Sequence, residues 1–142
     1  MRGTTKLLVG VLGLVACGEA REPGGRMRVQ VAALELPGVD EAVYTLAVHN
    51  AHDDLVWRAA DLRSTRYGDG RGALTYVGTC DAAANPNRVT LLLDELWAGR
   101  RLSDPEDYRN PAPAPGIVKA DVVCSENADT FVALNLTILR SA

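Results

Sequence analysis

The chain has 142 residues, the length of one domain, with 15 Lys+Arg against 18 Asp+Glu and a formal net charge of −3. Acidic and basic residues are interspersed. The basic patch that a phosphate-backbone binder needs is therefore missing, and no nucleic-acid partner is expected. Apolar content rests on Val, Leu and Ala, with one Phe, two Trp and four Tyr. Its runs are separated by Gly, Pro, Asn and Asp, which excludes a disordered chain and points to strands joined by turns.

The first 17 residues, MRGTTKLLVGVLGLVAC, read as an export signal. Arg2 and Lys6 give a positive start, and residues 7–16 are apolar with glycines at 10 and 13. As a helix this stretch spans ~15 Å, about half a bilayer core, so it is too short for an ordinary transmembrane helix and suits a signal peptide. It ends Leu14-Val15-Ala16-Cys17. This ending resembles the lipobox of bacterial lipoproteins. The resemblance implies that the Cys17 thiol receives a diacylglycerol, that cleavage falls before it, and that its new amine is acylated. Several chains matter physically, because one acyl chain alone holds a protein to a bilayer only reversibly. Cleavage removes Arg2 and Lys6 and leaves 13 basic against 18 acidic residues in the remaining 126. Gly18 stands where an Asp would imply inner-membrane retention, so the resemblance favours the outer membrane. Residues 17–26 carry Pro23, Gly24 and Gly25 without apolar periodicity and read as a flexible tether. The domain proper is expected over 27–142.

Seven strand-like runs follow. Residues 27–36 (MRVQVAALEL) alternate from Val29 and Val31, then shift phase at Ala32-Ala33 as a bulge would, and Pro37-Gly38 end the run. Residues 41–50 put Tyr44, Leu46 and Val48 on one face and Thr45 and His49 on the other. A turn at 50–54 leads to a short run at 55–59, with Leu55 and Trp57 in phase, so these two runs predict a hairpin. A loop is expected over 61–72, where Gly68, Asp69, Gly70 and Gly72 cluster, and then a short strand over 73–78. Residues 81–88 are turn-like. Residues 89–93 are apolar on both faces, the mark of a central strand, and 94–99 read as either a helical turn or its continuation. The segment 100–116, with Pro105, Pro111, Pro113 and Pro115, is the longest irregular stretch. Residues 117–124 and 130–139 are the last two strands. In the second, Val132, Leu134, Leu136 and Ile138 alternate with Asn135 and Thr137, and residues 125–129 make a connection of hairpin length.

Short strands without intervening helix periodicity predict an all-β fold: an antiparallel two-sheet β-sandwich of about seven strands, Ig-like or transthyretin-like in arrangement, with a small β-barrel as the alternative. With Cys17 on lipid, Cys80 and Cys124 remain as one pair, expected to be bridged in an oxidising compartment. The bridge would close a loop of more than 40 residues, worth about 4 kcal/mol in the chain-entropy picture. Two free buried thiols are the competing reading. The pieces YGDGRGALTYVGTCDA (67–82) and VVCSENADTFVALNLTILR (122–140) resemble segments of uncharacterised exported β-rich proteins of myxobacteria and their relatives. That resemblance implies an exported β-domain and brings no activity with it.

For chemistry, His49, His52, Asp53 and Asp54 form the only cluster that could bind a metal, but the spacing matches neither a zinc nor a calcium site. A hairpin turn that uses Asn and Asp for left-handed backbone explains the same residues. Tyr67-Gly68-Asp69-Gly70-Arg71-Gly72 lacks the Lys-Ser/Thr of a phosphate loop and reads as a turn. No Gly-x-Ser-x-Gly elbow occurs, and Asp104, Glu106 and Asp107 read as a solvated loop. Trp57 falls in strand phase and is expected in the core. Trp97, beside the 100–116 loop, is the candidate exposed platform for a ligand, with Tyr108 in that loop. The expected function is a lipid-anchored cell-envelope binding or structural module acting through surface loops. Its partners are the membrane, through the lipid, and an envelope protein or glycan; no cofactor and no metal are expected. The alternative is an extracytoplasmic hydrolase whose site is assembled from separated residues.

Overall fold

The computed structural model describes residues 24–141. The expected signal peptide (1–16), Cys17 and the first part of the tether lie outside the described residues. Alternation of side chains sets the architecture. In β1 (Gly24–Val31), Met27, Val29 and Val31 are buried while Arg26, Arg28 and Gln30 face solvent. The strand thus starts three residues earlier than expected and takes 24–26 from the tether. Glycine at 25 makes this possible: a side chain there would meet the main chain of Ser125 and Ala128 and the Cys124 sulfur.

Chain order continues with β2 (Glu41–His49), β3 (Leu55–Arg63), a single helical turn α1 (Ser64–Tyr67), β4 (Leu74–Asp81), β5 (Asn87–Trp97), β6 (Tyr108–Arg109), β7 (Ile117–Val122), β8 (Asp129–Leu134) and β9 (Leu139–Arg140). One sheet has the order β4-β1-β8 and the other β3-β2-β5-β7, so the two layers hold the seven expected strands and are not closed into a barrel. The short β6 and β9 pair with each other. One pair departs from the antiparallel pattern: β1 and β8 run parallel, with Arg28 opposite Phe131 and Val29 opposite Val132, while every other pair is antiparallel. Nothing in the local pattern distinguishes the two directions, because they share the same alternation.

The core lies between the layers, where Met27, Val29, Tyr44, Leu46, Val48, Leu91 and Val132 interlock. Each large apolar side chain buried there contributes about 1.5–3 kcal/mol. β2 is buried on both faces from Ala42 to Val48, as befits a strand with a neighbour on each side and a layer beneath. β5 is central as its apolar 89–93 stretch predicts, and it runs on to Trp97 through a bulge at Asp94, so 94–97 continue the strand. β3 likewise runs past 59 to Arg63, pairing Tyr44 with Leu62 and Val43 with Arg63. The phase shift at Ala32-Ala33 is the chain leaving the sheet: Ala32 N still bonds Leu134 O at 3.0 Å, but Leu34 N turns to Arg71 O at 2.9 Å. Leu34, Leu36 and Val39 then bury under the loop. In the expected strand 130–139, sheet pairing stops at Leu134, although Leu136 and Ile138 stay buried and Asn135 and Thr137 exposed.

Cys80 and Cys124 form a disulfide, with Cα atoms 6.1 Å apart. It joins the end of β4 in one layer to the segment after β7 in the other. Asn85 and Asn87 close the same end. Asn87, fully buried, accepts from Asp81 N at 2.9 Å and donates to Asp81 O at 2.8 Å. Asn85 accepts from Cys124 N and donates to Cys124 O, both at 2.8 Å. The β4–β5 connection is thereby tied to the main chain at the disulfide.

Candidate functional site

The 100–116 loop is held in shape by its own polar residues. The Asp107 carboxylate accepts from Ser103 N at 2.8 Å and from the Arg100 guanidinium at 3.0 Å. The Arg100 hydrogen bonds, with the Ser103 amide behind them, hold the Asp107 carboxyl below the usual carboxylate range. Ser141 Oγ donates to Pro105 O at 2.7 Å, and Tyr108 and Arg109 pair with Arg140 and Leu139, so the end of the described chain is laid across the loop. Farther on, Asn110 Oδ1 accepts from Ala112 N at 3.1 Å, and Gly116, at φ +86°, donates its N–H to Pro113 O at 2.6 Å. A proline-rich turn is thus fixed immediately before β7.

Between this turn and the extended segment after β8 lies an open cleft of about 570 Å³. Pro111, Ala112, Pro113 and Ala114 make one wall. Ile117, Val118 and Lys119 of β7 make the second, and Asn135, Leu136 and Thr137 the third. The walls are apolar, with Lys119, Asn135 and Thr137 as a polar rim. Volume and lining suit a ligand-binding cleft. Residues 111–114 fall in the loop singled out from the sequence. The other two walls were not foreseen, because they come together only through pairing between distant segments.

The remaining candidates are placed elsewhere. Trp97 ends β5 opposite Glu41, half-buried, with its indole N–H donating to Glu95 at 3.1 Å, and it does not line the cleft. Tyr108 also lies outside the cleft: it is 7% exposed and packed in the core, and burial pushes its hydroxyl pKa up. A ring so covered offers no stacking face. Trp57 packs half-buried against the core, although Leu55, its partner in phase, is exposed; it lies beside Tyr76 at 5.3 Å between ring centroids and donates to Thr79 O at 2.6 Å. His49, His52, Asp53 and Asp54 belong to the β2–β3 turn. Asn50 Oδ1 accepts from His52 N at 2.9 Å and Asp54 N at 3.0 Å, and Asp53 takes φ +66°. Among the described residues no three His, Cys, Asp or Glu side chains are grouped to hold a metal ion. Ser64, fully buried, accepts from Ala42 N at 2.9 Å and donates to Gly70 O at 3.2 Å, a structural task. No helix of the described residues is long and apolar enough to cross a membrane.

No family model matches the chain, and no curated protein matches it. Among solved structures, a cysteine-to-alanine mutant of a pilus-presented adhesin, Spy0125 (Cpa), is similar over 80% of this chain at 11% identity and a TM-score of 0.28. The chain spans about a quarter of that adhesin, 27% of its length. A likeness at that score carries no argument; the sandwich rests on the strand pairings themselves.

Proposed function

We propose that this chain is an exported, lipid-anchored module of the cell envelope that binds a partner through the cleft between the proline turn, β7 and residues 135–137. The anchor is Cys17, carrying acyl chains into the outer membrane after removal of residues 1–16. The observation that carries the binding role is the cleft itself: apolar walls and a polar rim at the open side of an otherwise well-packed sandwich. The Cys80–Cys124 disulfide suits an oxidising compartment outside the cytoplasm.

Cys17→Ala is the test of the anchor. Expressed in a bacterial host with lipoprotein processing, the natural chain should partition with membranes and carry an acylated N-terminal cysteine by mass spectrometry, and the variant should be released. Acylation and membrane retention unchanged in Cys17→Ala would refute it. For the cleft, a bulky substitution at its exposed rim, Thr137→Trp, should abolish partner binding while leaving export and acylation intact.

A further inference from the structure

The geometry points to strand addition: the cleft receives an extended segment of another protein, which pairs its main chain with the free edge of β7. This rests on the proposal that the cleft is the binding surface, and it specifies what enters. β7 is an edge strand, paired only with β5. Ile117 N donates to Pro113 O at 3.2 Å, outside the β5 ladder in which Leu92 stands opposite it. Main-chain groups alternate in direction along an antiparallel strand. Hence Val118 and Ala120 bond β5, while Lys119 and Asp121 aim their N–H and C=O away from it, toward the cleft side.

The facing wall is similarly placed. Leu134 O is taken by Ala32 N, but the main-chain groups of Asn135, Leu136, Thr137 and Ile138 pair with no backbone group among the described residues. The segment stays extended because Leu136 and Ile138 are buried while Asn135 and Thr137 face out. Two ribbons with unused donors and acceptors therefore flank an apolar floor of Val118 and Leu136. A helix satisfies its own main chain and is about 10–12 Å across, so it would leave these groups unpaired. An extended chain pairs its main chain with them and drops alternate side chains onto the floor. Charge selects the rest. Asp121 is paired with Arg88 at 3.3 Å, whereas Lys119, exposed beside it, is in no ion pair among the described residues. The partner segment is thus apolar at alternate residues with an acidic residue between.

Hydrogen exchange by NMR on the mature chain, made soluble with Cys17→Ser, tests this. In the free protein Lys119 and Asp121 amides should exchange fast, and Val118 and Ala120 slowly. Two ten-residue peptides serve as probes, alternating valine with glutamate in one and with lysine in the other. The glutamate peptide should slow exchange at Lys119 and Asp121 about tenfold or more. N-methylating its amides on either edge, one facing β7 and the other residues 135–138, should weaken binding about three- to tenfold per bond. Lys119→Glu should invert the preference between the two peptides. Fast exchange at Val118 and Ala120 in the free protein, no protection by either peptide, or binding unweakened by both methylation patterns would overturn strand addition. If a soluble peptidoglycan fragment shifts the Ile117 and Leu136 resonances while neither peptide does, strand addition fails and the binding role of the cleft stands. If no probe shifts them, both fall.

Discussion

Replacing Tyr44 by Phe removes one oxygen atom from the centre of the molecule. Tyr44 is fully buried on β2, and its hydroxyl donates to Gly72 O at 2.8 Å. Gly72, at φ +89°, is packed so tightly that a Cβ there would meet the Leu34 side chain and, at 3.1 Å, the Tyr44 oxygen, so water has no room to replace the lost donor. An orphaned buried carbonyl costs about 1–3 kcal/mol, and Tyr44→Phe should lose that much at pH 8. A second leg follows from titration. Burial, with Asp69 adding a like charge, raises the Tyr44 pKa far above its ordinary value of about 10. A group whose folded pKa is raised keeps its full contribution below the unfolded pKa and loses it as pH climbs above that value. By pH 11 the wild type should have lost about 1.4 kcal/mol through this residue, and the Phe variant none. Urea unfolding of both proteins from pH 8 to 11, with unchanged slope m, measures the gap directly. The gap should be widest at pH 8 and shrink as pH rises. Equal stability at pH 8, or a gap constant to pH 11, would refute the reasoning.

Cys80→Ala with Cys124→Ala opens a loop of sequence separation 44 and should cost about 4 kcal/mol in urea unfolding; a loss below about 1 kcal/mol would show that the bridge constrains little. Gly78 sits under the Trp57 ring, where a Cβ would lie 2.6–2.8 Å from ring atoms. Gly78→Ala should therefore cost about 1–3 kcal/mol by overpacking and shift tryptophan emission as Trp57 moves out. Asp107 has a depressed pKa, so its contribution is present above the ordinary carboxylate range and lost as pH falls through its lowered value. The stability difference between the natural chain and Asp107→Asn should accordingly be flat from pH 7 to 5 and shrink on further acidification, read from urea midpoints.

Much of the layer architecture is legible in single strands. The alternation at Tyr44, Leu46 and Val48 and the two-sided apolar run at 89–93 assign β2 and β5, since burial acts residue by residue along a strand. Cysteine parity pairs Cys80 with Cys124 once Cys17 is set aside. What escapes is decided between segments. The parallel course of β8 beside β1 leaves no mark on either run. Tyr108 looks like a loop residue because the cover it receives comes with Arg140, 32 positions later. Trp97 looks like an exposed platform, yet it continues a strand whose bulge at Asp94 hides the period. For the cleft, the prolines of 111–115 announced an irregular wall, but Lys119 and Leu136 read as ordinary strand residues. Only the end of pairing at Leu134, a non-local event, brings them to the lining of one cleft.

The position of β1 has a mechanical consequence. β1 enters the middle of a sheet, flanked by β4 from Gly24 and by β8 from Arg26, with Gly25 beside the covalent bridge at Cys124. Tension arriving through the preceding residues runs along the strand axis and loads both ladders in shear, so their bonds must yield together instead of unzipping singly. A domain anchored through Cys17, as proposed, would in this way resist being pulled apart by its own leash.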